Sequence, residues 1–283
     1  PLVFTWLVLQ DLGHITAESL ALLDEAQRQQ QLEMLSLQLI TPYAGIAVAI
    51  LLLAVALRFS ALPDLPAEPA PVSTGKGDAS VWQHRHLVLG VITLFCYVGV
   101  EVIAGDTIGL LGSALKVPGA TTLTSYTLAF MVLGYSLGLL LVPRLLSQRQ
   151  ALAISAGLGL VLSLAILLSD AGSTAISALL WGWAGIPLLP DPVSLVALLG
   201  LANALVWPAV WPLALAGLGS LTPKGSALLI MGIAGGAVLP LVYGALSEQT
   251  GPISAYMVLL PCYAMILYYA LHGSKPKQIA AKR

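Results

Sequence analysis

The chain has 283 residues, of which 58% are hydrophobic and 9% are charged, and its formal net charge is −1 at pH 7. Soluble domains carry about 25% charged residues, so the composition excludes a soluble globular protein and indicates an integral membrane protein. The balanced charge gives no indication of a nucleic-acid partner, and none is expected.

The chain begins with PLVFTWLVLQD, an apolar run that is too short to span a bilayer of about 30 Å. Neither a methionine nor a charged segment precedes it, as a signal peptide would require. We therefore expect residues 1–10 to be the tail of a helix, and the sequence to be a fragment. The Gln-rich segment 16–35 is either a solvated loop with some helix or a short amphipathic helix on the membrane surface.

Seven later segments are apolar over about the 20 residues that a membrane helix requires. Such long runs favour helices over the alternating strands of an outer-membrane barrel, so the predicted fold is an all-α integral membrane protein. The seven segments are approximately 39–60, 87–111, 121–143, 150–169, 192–214, 225–246 and 253–272.

A stretch rich in Pro, Ala, Gly and Ser, the composition of a flexible linker, divides the chain. We predict that residues 1–62 contain the tail of one helix, an outside loop and a further helix. Residues 63–86 form the linker, residues 87–272 form a six-helix bundle, and residues 273–283 form a tail.

The basic residues predict the orientation, because cytoplasmic loops retain Lys and Arg. The connections between successive segments fall on two alternating sides of the membrane. Those on one side contain ten of the 12 basic residues, and those on the other side contain only Arg28 and Lys116. The linker and the C-terminus are therefore predicted to be cytoplasmic in a bacterial plasma (inner) membrane. So are the 144–149 and 215–224 turns. Residues 11–37, 112–120, 170–191 and 247–252 are predicted to face outside, with Trp181 and Trp183 in an interfacial belt.

Glu101 lies about fifteen residues into its segment, beyond the membrane midplane toward the outside. Charged groups inside a bilayer are costly and indicate a function. Thr93, Tyr97 and Glu101 recur every four residues, so they share one helix face. Either this face lines a cavity that binds a polyhydroxylated solute or a proton, or Glu101 is protonated and bonded to a neighbouring helix.

Asn203, Trp207 and Trp211 show the same spacing in the segment 192–214. An indole ring packs on the C–H face of a sugar while an amide binds its hydroxyls, so these residues are candidate sugar contacts. The alternative is that both tryptophans only fill space. Pro208 and Pro212 each follow a tryptophan and predict a break in the helix.

Small residues recur at the spacing of close helix contacts in Gly134-x-x-x-Gly138 and Gly232-x-x-x-Gly236. Together with Gly235 and Pro240, these glycines would also permit bending, and the spacing fits both roles. Cys96 and Cys262 lie inside apolar runs and are interpreted as packing residues. The sequence has no clustered metal ligands, phosphate-binding loop or nucleophile–base pair, so no metal, cofactor or enzymatic activity is predicted.

Two stretches resemble a known family. FCYVGVEVIAGDTIG (95–109) and ANALVWPAVWPLALAGLGSLTPKGSALLIMGIAGGAVLPLVYGALSE (202–248) are similar to the fucose/glucose-galactose sugar:H⁺ symporters of the major facilitator superfamily. The signature is YVG-A-E/Q in helix seven, N-x-x-x-aromatic-P in helix ten, and GLG-x-x-T-x-x-GS-x-L before a glycine-rich helix eleven. On this resemblance, the chain runs from the end of helix five to helix twelve of a twelve-helix transporter and lacks most of the N-terminal bundle.

The resemblance also implies roles for individual residues. Glu101 matches the Glu/Gln of helix seven and is the candidate for proton coupling; Asn203 matches the Asn of helix ten. Trp207 matches a cavity-lining aromatic that is a tyrosine in the fucose member. Tyr135 departs from the family, because GR-x-x-G is frequent in helix eight where this chain has Gly-Tyr-Ser-Leu-Gly.

The implied function is proton-coupled import of a hexose, of the glucose/galactose, fucose or N-acetylglucosamine type, by alternating access. The implied partners are a sugar, H⁺ and the lipid bilayer. Alternatives are a transporter of another small polar solute or a non-transporting membrane fragment or scaffold. A membrane-embedded enzyme would need acid, His or Arg residues clustered at one membrane face, which the sequence does not show.

Overall fold

The computed structural model describes residues 24–59, 81–142 and 144–275, and no strand occurs among them. The chain divides into two compact units, residues 1–74 and 75–283. The predicted helix tail at 1–10 and most of the linker lie outside the described residues.

The first unit contains one long helix, α1 (Glu25–Arg58, 34 residues). It includes much of the Gln-rich segment, for which a loop with some helix and a surface helix were the two alternatives. The segment is helical from Glu25, because Glu, Gln, Arg, Leu and Met are good helix formers and no Gly or Pro interrupts them before Pro42. Its apolar part, Ile40–Ala56, is shorter than a full membrane span. The predicted segment 39–60 is therefore helical, but its apolar part does not reach the length of a span. The other six predicted segments correspond to six helices among the described residues that are long and apolar enough to cross a membrane.

Those six spans all lie in the second unit and match the six predicted segments between 87 and 272. Two spans are each divided into two α-helices by a short 3₁₀ turn or a break, and a further short helix lies between spans, so the unit has nine α-helices in its described part. They are α2 (Arg85–Ala114), α3 (Thr124–Leu141), α4 (Gln148–Leu168), α5 (Ala175–Trp181), α6 (Asp191–Asn203), α7 (Val206–Leu215), α8 (Thr222–Met231), α9 (Gly235–Thr250) and α10 (Leu259–Tyr268).

Helix α2 lies at the centre of this unit, since it packs against α6, α7, α9 and α10. Its apolar side chains at Leu94, Ile103 and Ile108 are completely buried. Helix α6 packs in turn against α3 and α4, and α4 packs against α10. The outer sides of these helices carry many exposed apolar side chains, which is the arrangement expected of helices facing lipid.

The connection between α4 and α6 folds over one end of the bundle, and its helix α5 is too short to cross a membrane. Trp181 is buried there against Tyr126 and Phe130, with ring centroids 5.6 and 6.2 Å away. It therefore packs inside the protein instead of anchoring it in the predicted interfacial belt, whereas Trp183 is 84% exposed.

Candidate functional site

The break between α6 and α7 positions the residues that the sequence singled out. Ala204 and Leu205 form a turn between the two helices, and Pro208 is the third residue of α7. The N–H groups in the first turn of a helix have no partner within that helix, so a proline is well tolerated there. Pro212 lies inside α7 and leaves the Pro208 carbonyl without its usual donor.

The glycine pair of α3 packs directly against this break. A Cβ at Gly134 would lie 2.6 Å from Cβ of Ala204, and one at Gly138 would collide with Leu205. Both glycines are buried. Any larger side chain at either position would push α3 away from the break, so the close contact requires glycine.

Asn203, the last residue of α6, is completely buried. The hydroxyl of Tyr263, from α10, donates a 2.8 Å hydrogen bond to its Oδ1 atom. The Nδ2 atom has no partner within the described part of the chain. An amide can be turned around in a structure, but in either orientation one of its polar atoms remains unpaired.

Three aromatic rings continue from this asparagine along α7 and onto α2. The rings of Trp207 and Trp211 stack with centroids 5.5 Å apart and planes at 17°, as their four-residue spacing predicts. Tyr97 of α2 lies 6.3 Å from the Trp207 ring. Both tryptophans are half-buried. One part of each ring packs against the core of the unit, and the rest of the ring is exposed on the unit's surface.

Tyr97 links this aromatic group to the acidic residue of α2. Its side chain is buried, and it interacts with the half-buried Glu101, one turn further along the same helix, and with Tyr135 of α3. The hydroxyl of Thr93, in contrast, donates to the Leu89 carbonyl one turn earlier at 2.7 Å. Thr93 is therefore satisfied by its own helix and does not contribute to the polar face that the spacing suggested.

The second glycine group packs α8 and α9 against α2 on the face that carries Val91, Phe95 and Val98. Gly235 faces the Phe95 carbonyl so closely that a Cβ would collide with it, and a Cβ at Gly232 would lie 3.0 Å from the Val91 carbonyl oxygen. Gly236 approaches Val98 in the same way. Pro240 follows inside α9. These contacts hold α9 against the helix that carries Tyr97 and Glu101.

Sequence reasoning missed Tyr263 and the contact role of Tyr135. Both are tyrosines in apolar helices, and a tyrosine that is buried there, as Tyr263 is, usually finds a hydrogen-bond partner. Their partners, however, are 60 and 38 residues away in the chain, and no periodicity shows such a distance. Cys96 of α2 and Cys262 of α10 are free thiols that interact with each other where these helices pack.

The break also lines a cavity of about 230 Å³ on its other side, bounded by Tyr135, Leu205 and Pro208. Asn203 and Trp207 do not line it. Its lining is mainly apolar, so the polar and aromatic group of Asn203, Trp207, Tyr97 and Glu101 is the stronger candidate for binding a polar solute. Among the described residues, no group of three or more His, Cys, Asp or Glu is placed to hold a metal ion.

The chain is similar to several bacterial sugar transporters. It is 34% identical over 238 residues to a glucose/galactose transporter of Brucella abortus (strain 2308), covering 83% of this chain and 53% of that protein. It is 30% identical over 272 residues to a putative glucose/galactose transporter of Helicobacter pylori (strain J99), covering 93% and 60%. With the L-fucose-proton symporter of Escherichia coli (strain K12), the identity is 26% over 280 residues, covering 95% and 59%.

The fold is similar to that of a solved structure. The crystal structure of the major facilitator superfamily transporter FucP in the outward conformation matches with a TM-score of 0.65 and 21% identity, covering 94% of this chain and 62% of that one. This match confirms the predicted all-α transporter fold. No family model matches the chain, which spans between half and two thirds of the length of the curated relatives it matches.

Proposed function

We propose that this chain acts in proton-coupled import of a hexose by alternating access, as a member of the fucose/glucose-galactose family of the major facilitator superfamily, to whose transporters it is similar. The relatives that support the proposal are sugar transporters, among them a proton symporter. In such transporters two helical bundles rock around a central site. We propose that residues 87–272 are the C-terminal bundle and that an N-terminal bundle supplies the opposite wall.

The observation that carries the proposal is the unpaired amide atom of Asn203. A buried polar group without a hydrogen bond is destabilising by about 1–3 kcal/mol, and native proteins rarely retain one without a reason. A sugar hydroxyl would pair with this amide while the adjacent Trp207 ring packs on the sugar's C–H face. Tyr263 holds the amide in place from the opposite side.

Glu101 is the proposed proton-coupling group of this chain. It lies about one helical turn from Tyr97, whose ring centroid is 6.3 Å from that of Trp207. A carboxyl group near a sugar site gains or loses its proton as the surrounding water changes, and this exchange would couple sugar and proton movement. The sugar is proposed to be a hexose of the glucose/galactose, fucose or N-acetylglucosamine type.

The protein is a multi-pass membrane protein, since six of its helices are long and apolar enough to cross a bilayer. We propose the bacterial inner membrane as its location, with residues 63–86 and the tail 273–283 on the cytoplasmic side. This orientation rests on the concentration of Lys and Arg in alternate connections.

Counterflow in proteoliposomes tests the function. Proteoliposomes that contain the full-length protein are loaded with one unlabelled sugar from a panel of hexoses, deoxyhexoses and N-acetylhexosamines. They should accumulate the labelled form of at least one of these sugars from outside. Net uptake should rise with an inward proton gradient and remain unchanged by a sodium gradient. No exchange with any of these sugars would refute the sugar proposal, and uptake driven only by sodium would refute proton coupling.

A further inference from the structure

A polar cavity, separate from the mainly apolar one at Pro208, lies at the end of the bundle that carries the basic residues. Its volume is about 410 Å³, and it opens between the first turn of α4 and the π-helical turn Tyr269–Gly273 that ends the last span. Arg149 and Lys275 line it, together with Ser147, Gln150 and Leu271. It is far along the helices from Glu101 and Asn203 and belongs to neither the proposed sugar site nor the cavity at Pro208.

The guanidinium of Arg149 is held in a fixed position in this cavity. Its Nε atom donates to Ser274 Oγ at 2.9 Å, and Nη2 donates to the carbonyls of Ala270 and Leu271 at 3.5 and 3.4 Å. These bonds orient the group but do not neutralise it, because all three acceptors are uncharged. Lys275 is exposed and has no partner among the described residues.

The surroundings supply no counter-charge in the described part of the chain. Arg85, Arg144 and Lys224 lie at the same end of the bundle, whereas the described carboxylates of this unit lie within the spans or toward the other end. The fixed guanidinium of Arg149 and the exposed ammonium of Lys275 therefore face a cavity to which the described residues contribute no carboxylate. Closely placed positive charges repel one another, and an anion between them would relieve this repulsion.

Exposed apolar side chains at this end of the bundle indicate that such an anion would come from the lipid bilayer. Leu271 lines the cavity and is 50% exposed, and Trp82, also at this end, is 66% exposed. Exposed apolar and tryptophan side chains beside basic groups are typical of the zone where lipid chains meet headgroups. Basic pockets between membrane helices at this level bind phosphate headgroups, and Arg forms paired hydrogen bonds to phosphate oxygens.

We propose that this cavity binds the phosphodiester headgroup of an anionic phospholipid, with Arg149 and Lys275 as its two cationic contacts. The acyl chains would lie along the exposed apolar surface below Leu271. The site stabilises the packing of the last turn against α4, because Arg149 contacts both the lipid and the carbonyls that end the chain's final span.

Native mass spectrometry of the full-length protein in neutral detergent tests the proposal, with phosphatidylglycerol and phosphatidylcholine as probes. The wild type should retain phosphatidylglycerol in preference to phosphatidylcholine. Lys275→Gln should weaken retention about fivefold, and Arg149→Gln should weaken it at least as much. Lys275→Gln removes no hydrogen bond within the described chain, so it tests the site even if Arg149→Gln disturbs folding.

Lys224→Gln and Arg144→Gln are matched controls, because each removes one charge at the same end of the bundle outside the cavity. Both should retain the lipid as the wild type does. Equal losses in the controls and in Lys275→Gln would overturn the proposal in favour of general surface charge. Displacement of the lipid by millimolar inorganic phosphate would overturn the assignment to a lipid. None of these measurements depends on sugar transport.

Discussion

The hydroxyl of Tyr263 donates a 2.8 Å hydrogen bond to Asn203 Oδ1, joining the final membrane span to the end of α6. The Tyr263 ring packs against Gly159 of α4, where even a Cβ would collide with it. Tyr263 thus orients Asn203 at the proposed sugar site. The position of the Tyr263 ring depends in turn on Gly159, because only glycine is small enough to pack against it there.

Tyr263→Phe should therefore reduce sugar affinity on the order of tenfold without removing any proposed sugar contact. The variant leaves the asparagine amide free to turn and adds an unpaired buried group, which is destabilising by about 1–3 kcal/mol. Sugar binding by calorimetry and thermal unfolding of the full-length protein measure the two effects.

Tyr256→Phe is the matched control for this variant. Tyr256 is also fully buried and shares a 2.7 Å hydrogen bond with Thr107, so its loss should destabilise the protein to a similar extent. Sugar affinity should remain close to that of the wild type. If both variants weakened sugar binding equally, the positioning role of Tyr263 would be wrong.

Trp207→Ala should weaken sugar binding by about tenfold, since a well-placed aromatic contact contributes about 0.5–1.5 kcal/mol beyond its buried area. Trp211→Ala should have a smaller effect, because Trp211 stacks on Trp207 one turn further from Asn203. Comparing the dissociation constants of the two variants checks this order. Unchanged affinity in Trp207→Ala would contradict the stacking proposal.

Glu101→Gln should abolish proton-driven accumulation of sugar without abolishing the exchange of sugar across the membrane. The amide has nearly the same shape as the carboxyl but carries no exchangeable charge, so counterflow should persist while proton-driven uptake is lost. Asp106→Asn, at an exposed carboxylate further along α2, should keep both activities. Normal sugar accumulation by Glu101→Gln would exclude this residue as the proton-coupling group.

Gly134→Ala should destabilise the bundle, because its Cβ would lie 2.6 Å from that of Ala204 at the α6–α7 break. Overpacking of this kind typically costs about 1–3 kcal/mol. Gly157→Ala is the control, since no neighbour lies within 4 Å of a Cβ there, and alanine is favoured over glycine in helices. Melting temperatures should fall for the first variant and rise slightly or stay constant for the second.

Much of this architecture was predictable from local patterns. Apolar runs gave the six spans of the second unit, and the four-residue spacing placed Trp207 and Trp211 on one face, where their rings stack. The sequence left the start of α1 open between loop and helix, and the burial of Trp181 was not predicted. Helix propensity extended α1 into a polar segment, and Trp181 found partners on α3 that its own loop does not reveal.

The sequence by itself determined what each helix contains: its length, its apolar character, and the repeated residues of one face. These features follow from the rise and period of a helix, which are fixed locally. The tertiary structure alone decided that Asn203 meets Tyr263, that Gly134 faces Ala204, and that Arg149 reaches the end of the final span. Such pairs depend on which helices are neighbours and how they are rotated, and that is set by the packing of all the helices together.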